Sequence, residues 1–296
     1  MDYKTRITTL YRGFNAAEKL IFINIVIFTI IALFNTIYYS FIKTRSTFFV
    51  EYFAIPNGWE LLYKPWTIVT YAFLHIGFFH LIFNCLVLYF TGKIFNIFFT
   101  EKQFITVYAY GIFSGAILFL IAYNLLPAFA DESAVLMGAS AAVLAVLVAG
   151  ATYSPNFIVN LFGVFPLKYW ILATLLVISY VAAIPYDNAG GHFAHIGGAL
   201  IGFIFVKQLQ KGNDIGIRFE RFWDSLTGYF SSKKKSPLKT VYRNNTNKRS
   251  TTNTATQSPT EKQRKVDAIL DKISKSGYES LTKLEKDFLF KAGKEN

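Results

Sequence analysis

Residues 138–150 read GASAAVLAVLVAG, a run of small and aliphatic residues whose single hydroxyl, Ser140, stands near the start of a membrane-length apolar stretch. A lone serine in such a helix is commonly a packing or hydrogen-bonding residue. Ser140 gains interest from its surroundings, because the run is one of six of its kind. Stretches long enough for a hydrocarbon core of about 30 Å read as Ile21–Tyr39, Ile68–Phe90, Phe104–Ala122, Val135–Ala151, Tyr169–Ile184 and His192–Val206. The last two are short or interrupted. The chain is 53% hydrophobic, with most of that weight in its first two thirds, so the expected fold is all-α: a polytopic membrane protein whose residues 1–210 form a six-helix membrane domain.

Charge sets the expected orientation. Lys4, Arg6, Arg12 and Lys19 precede the first stretch, Lys93 and Lys102 separate the second from the third, and a basic tail follows the sixth. Positive residues favour the cytoplasmic side, which puts both termini in the cytoplasm. The opposite side holds Asp131, Glu132 and Asp187, with a mixed-charge first loop from Ser40 to Trp66. The N-terminal residues are polar and basic, and no small-residue cleavage site follows the first apolar run, so that run is expected to stay as an anchor. A net charge of +12 points in this setting to anionic lipid, with no nucleic-acid partner expected. Cys85 is the single cysteine, which removes a disulfide framework and a cysteine-ligated metal site; no cofactor and no metal are expected.

After the bundle the composition changes. Residues 211–231 carry Phe219, Phe222, Trp223 and Tyr229 among Arg218 and Arg221, a juxtamembrane segment that either lies along the inner leaflet or continues the sixth helix. Residues 232–260 are rich in Lys, Asn, Thr and Ser, the composition of a disordered basic linker. Residues 261–296 read as a small two-helix cytoplasmic module. Ile269, Leu270 and Ile273 form one stripe, Gly277 suits a C-cap, and Thr282 with Glu285 has capping-box spacing. Leu281, Phe288 and Leu289 are expected to close over that stripe. The module is either an adaptor for a cytoplasmic partner or an inert appendage.

The chemistry lies in the second, fourth and sixth stretches. His80 and Asn84 are four apart on one helix face, Ser140 lies near the start of the fourth, and His192 and His195 lie in the sixth; with His75 these are all four histidines. By the orientation above, all three helices enter from the outside, so His80, Ser140 and His195 share a depth. A membrane-embedded imidazole is costly and is by default a functional hypothesis. His195 can take the proton of Ser140 and return it to a leaving amine. No carboxylate lies in the outer halves of these stretches to orient it, which makes a dyad and not a triad. His80, the Asn84 amide and unpaired N–H groups at the helix start can stabilise an oxyanion. Gly111 with Gly115, and Gly198 with Gly202, are small-xxx-small pairs that bring helices together. A metal transporter built on the histidine pairs is the weaker alternative, since His192 and His195 have no carboxylate or thiolate beside them. His75 and His192, a turn outward, are expected to bond loop backbone.

These residues resemble the rhomboid intramembrane serine proteases. The resemblance covers roughly residues 60–206 together with the first helix. Its motifs are His80 and Asn84 in the second helix, Gly138 and Ser140 in the fourth, and Ala194, His195 and Gly198 in the sixth; WTIVTYAFLH, residues 66–75, looks like the family's run into the second helix. The resemblance implies a serine endopeptidase cleaving transmembrane segments of membrane proteins near the extracytoplasmic surface, with Ser140 as nucleophile and His195 as base. It also implies His80, Asn84 and the Ser140 N–H as the oxyanion site, and Gly138, Gly198 and Gly202 as helix-packing positions. The implied partners are transmembrane protein substrates and membrane lipids, and the expected location is a bacterial cytoplasmic (inner) membrane. The first outer loop resembles the family's membrane-associated loop, and the fifth helix its substrate gate. Two positions depart from the pattern: Ala141 replaces the glycine after the serine, and Leu144 replaces an aromatic residue one turn on. The imidazole is then left to aliphatic packing or to another ring. The alternative within the family is an inactive relative that binds and sorts transmembrane clients, although such members typically lack the serine or the histidine.

Overall fold

The computed structural model describes residues 2–129, 131–161, 163–230 and 261–294. They fall into two units, the first ending at Lys234 and the second beginning at Lys235. The expected linker at residues 232–260 lies outside the described residues.

In the first unit, α1 (Tyr3–Gly13) leads into α2 (Ala16–Ile42), which opens on a capping box: Asn15 Oδ1 accepts the Glu18 N–H and Glu18 accepts the Asn15 N–H, each at 3.0 Å. Between Ala16 and Ile42 only Ala16, Ala17 and Asn24 are buried, so the helix turns most of its apolar surface outward, as a helix facing lipid does. The chain then makes α3 (Phe48–Phe53), β1 (Ile55–Pro56), α4 (Glu60–Tyr63) and α5 (Thr67–Thr70). This first loop is tied together by backbone acceptors: Trp66 Nε1 donates to the Tyr52 carbonyl at 2.8 Å and Thr70 Oγ1 to that of Phe53 at 2.8 Å.

The central helices follow: α6 (Phe78–Phe98), α7 (Glu101–Leu125), α8 (Ser140–Tyr153), α9 (Tyr169–Ala183) and α10 (Ala189–Gln210). Every residue of α8 from Ala141 to Ala151 is buried, which makes it the axis of the bundle. Alanine and glycine make that position accessible. A Cβ on Gly111 would lie 2.6 Å from the Ala142 Cα, and one on Gly198 or Gly202 would run into the carbonyl of Ala141 or Ala145. Helices α7 and α10 therefore approach α8 to backbone contact, where dispersion is strongest.

Four helices, α2, α6, α7 and α10, are long and apolar enough to cross a membrane; α8 and α9 are apolar but only 14 and 15 residues long. Two expected boundaries are wrong. The second helix starts at Phe78 and not at residue 68, because Leu74 (ψ 138°) and Gly77 (φ −162°) are extended and divide the apolar run. His75 consequently lies before α6 and outside the helix expected to carry it. The fourth helix starts at Ser140 and not at Val135, since β2 (Val135–Leu136) pairs antiparallel with β1. At about 1.5 Å per residue, α8 spans only about 21 Å, short of an apolar core of about 30 Å.

Between α8 and α9 a hairpin forms from β3 (Ile158–Leu161) and β4 (Phe165–Lys168), pairing Ile158 with Lys168. After α10 the chain turns at Gly212 (φ +83°) into a separate helix, α11 (Ile217–Phe230). That excludes a continuation of the sixth helix. α11 is fastened to α7 by Lys102–Asp224 at 2.7 Å and by a Tyr110–Phe219 ring contact at 5.8 Å.

The second unit contains α12 (Glu261–Ser276) and α13 (Lys283–Lys294). Gly277 (φ +76°) ends α12, and its N–H reaches the Ile273 carbonyl at 2.9 Å. Thr282 and Glu285 form the capping box, with the Thr282 N–H donating to Glu285 at 2.7 Å. Ile269 and Leu281 are buried, but Leu270 is 49% exposed and does not belong to the inner stripe. Lys272 donates to both Glu285 oxygens at 2.9 Å, joining the helices. These bonds hold the Glu285 carboxyl down at about 2 from its ordinary 4.5, first through Lys272 and then through Thr282.

Candidate functional site

The N-terminal end of α8 is where the singled-out residues meet. The turn into it requires Gly138, whose φ of +125° is a conformation that L side chains rarely adopt. Its N–H donates to the Tyr71 carbonyl at 2.9 Å, and Tyr71, fully buried, donates its hydroxyl to the Ile112 carbonyl at 2.7 Å. The Gly138 position thus hangs from the α5–α6 connection, which is pinned to α7. Gly138 lies outside the helices, so its expected place as a helix-packing residue is corrected. It makes room for a ring: a Cβ there would stand 2.8 Å from Cε1 of His80 and 3.6 Å from Oγ of Ser140. Gly198 and Gly202, by contrast, do face a neighbouring helix.

Ser140 and His195 come from residues 55 apart in sequence, yet His195 Nε2 lies 2.6 Å from Ser140 Oγ. With the ring proton on Nδ1, the serine hydroxyl would donate to Nε2, the tautomer that a general base requires. The glycines create this contact. Gly198, one turn after His195, sits against the Ala141 carbonyl one residue after Ser140. Any side chain there would push α10 away from α8. His195 is 9% exposed, and its Nδ1 is buried with no hydrogen-bond partner among the described residues.

His80 is half-buried and lies across Gly138 from the serine. Asn84 is buried, and its Nδ2 donates to the His80 carbonyl at 2.9 Å, a bond within α6 and not to α8 or α10. The first turn of α8 has no side-chain cap, which leaves its leading N–H groups for another acceptor. The α10 end is arranged by Asn188, a left-handed N-cap (φ 37°) that accepts the Gly191 N–H at 3.3 Å.

His192 bonds a side chain and not loop backbone, while His75 has a backbone contact with Phe73. The His75 ring lies 5.2 Å from that of His80, with both nitrogens buried. His192 Nε2 pairs with the exposed Asp187 carboxylate at 3.3 Å. Among the described residues no group of three or more His, Cys, Asp or Glu side chains could hold a metal. One residue at the site escaped the sequence reading. Tyr180 of α9 places its ring centroid 4.1 Å from that of His195, tilted by 51°. A tyrosine in an apolar run carries no signal that it packs on a histidine 15 positions later.

A helical, largely apolar bundle with a half-buried serine against a buried histidine at a helix end defines an integral membrane protein with the ingredients of serine chemistry. The Rhomboid domain model matches residues 63–211, half of the chain, and the protein belongs to the rhomboid family. Residues 257–292 match a family of unknown function (DUF6576). No curated protein matches the chain.

Proposed function

We propose that the protein is an active intramembrane serine endopeptidase cutting transmembrane segments of membrane proteins near the extracytoplasmic surface. The observation that carries this reading is the 2.6 Å approach of His195 Nε2 to Ser140 Oγ. A half-buried hydroxyl beside an imidazole is a nucleophile with its base in place. Ser140 Oγ attacks the scissile carbonyl while its proton passes to His195 Nε2. The resulting oxyanion faces the leading N–H groups of α8, with His80 and Asn84 beside them. His195 then gives its proton to the leaving amine, the C–N bond breaks and an acyl-enzyme remains. A water, deprotonated by the same imidazole, hydrolyses that ester and restores the serine.

Six crossings fit this reading, with the shorter α8 starting below the surface. The basic N-terminus and tail support a cytoplasmic side for both ends of the chain, with Ser140 toward the outside of what is then a bacterial inner membrane. The C-terminal helix pair then faces the cytoplasm, where its exposed apolar residues are available to a partner.

The experiment compares purified full-length protein with its S140A and H195A variants in liposomes carrying transmembrane substrates of varied sequence. Cleavage by the wild type and its loss in both variants is the expected result. Equal cleavage by S140A overturns the assignment, and no cleavage across a broad substrate panel selects the inactive, client-binding relative.

A further inference from the structure

The proposed reaction puts a positive charge on the His195 ring in each step, yet Nδ1 has no hydrogen-bond partner among the described residues to orient or stabilise it. The nearest aromatic support is the Tyr180 ring at 4.1 Å. A cation this close to an aromatic face is attracted by the ring quadrupole. Leu144, one turn after Ser140, is buried in the same apolar cluster against which Tyr180 packs. Helix α8 therefore supplies an aliphatic floor, and the ring comes from α9.

That origin matters because of how α9 is held. Its buried residues are Tyr169 and Ala173, both in its first half. Further along, Leu175, Ile178 and Val181 are 50% exposed or more. A cleft of about 410 Å³, lined by residues such as Ala151, Trp170, Val177 and Phe203, lies where α9 faces α8 and α10. Leu176, Val177 and Tyr180 of the second half still pack on the buried cluster, and Tyr180 reaches from there into the site.

Resting on the hydrolase reading, we propose that Tyr180 is a positioning residue for His195: its ring holds the imidazole toward Ser140 and shields the imidazolium.

The test uses full-length protein in liposomes with Y180F and Y180L. Three measurements are made: ring resonances of the four histidines, with His195 assigned by its loss in H195A; the rate at which a small fluorophosphonate labels Ser140; and kcat and KM on a transmembrane substrate. Y180F keeps the aromatic face and should match the wild type in all three. Y180L should shift the His195 resonance and slow both labelling and kcat about tenfold with KM unchanged and melting intact. Wild-type labelling and kcat in Y180L overturn the proposal, as does an effect confined to KM, which would make Tyr180 part of substrate passage alone. Equal loss in Y180F also overturns it, by placing the effect in the hydroxyl. If the wild type is not labelled, hydrolysis itself fails. An unshifted His195 resonance in Y180L would instead remove the contact.

Discussion

Helix α10 meets α8 through glycines, whereas α9 meets α10 through a ring. At the first seam Gly198 and Gly202 lie against the carbonyls of Ala141 and Ala145, with no side chain between the helices. At the second, the Tyr180 ring touches the His195 ring while the face of α9 bearing Leu175 and Ile178 is exposed. The difference teaches where rigidity is needed. The spacing of Ser140 from the α10 backbone is set by packed main chain, which cannot slide without opening a void. The imidazole, by contrast, rests against a side chain from a helix that turns Leu175, Ile178 and Val181 outward.

The largest effect should come from removing the base. H195A is expected to lose cleavage by about 10⁴-fold with an unchanged melting temperature. Residual cleavage near wild type would mean that the seam aligns something other than this pair. Next, G198V should drive α10 off α8, destabilising the bundle by about 3 kcal/mol and abolishing activity together with folding. Thermal melting in lipid checks this, and a stable, folded G198V would refute the claim that backbone contact sets the spacing. H80A should cost about 10²-fold in kcat with little change in stability if that ring lies over the oxyanion. Along the other seam, I178A should shift stability by less than about 0.5 kcal/mol; a loss as large as that of G198V would erase the contrast between the seams.

The smallest effect belongs to the separate C-terminal unit. Because Glu285 is held at about 2 against an ordinary 4.5, its contribution is fully present above about pH 4.5. It is lost as the pH falls toward 2. Helicity followed through that window should decline in the wild type, and E285Q should remove the pH dependence assigned to this group. Unlike α9, this pair of helices is joined by Lys272 and Glu285, so the prediction contrasts a polar fastening with an aromatic one.

The site was partly legible because chemistry-bearing residues are rare in apolar helices. Ser140, His80, Asn84 and His195 stand out where leucine or valine would be cheaper. The capping boxes at Asn15 and Thr282 were just as local: Thr282 with Glu285 was readable from spacing, and the Asn15 box is formed by residues three apart. Helix starts were harder. The apolar run from Ile68 hides a break at residues 74–77, because hydropathy is blind to ψ and a buried extended segment is as apolar as a helix. Val135 and Leu136 join a strand whose partner lies 80 residues earlier, beyond the reach of any local pattern.

Composition and spacing by themselves determined that this is a helical membrane protein with one serine and two histidines to account for, since burying such groups in lipid has a cost that sequence alone displays. Only the tertiary structure decided that Gly138 serves a turn beneath His80, that Ser140 and His195 are 2.6 Å apart, and that the ring beside the imidazole comes from α9. These are distances between residues remote in the chain. They arise from how closely α10 packs on α8 and from where α9 comes to rest.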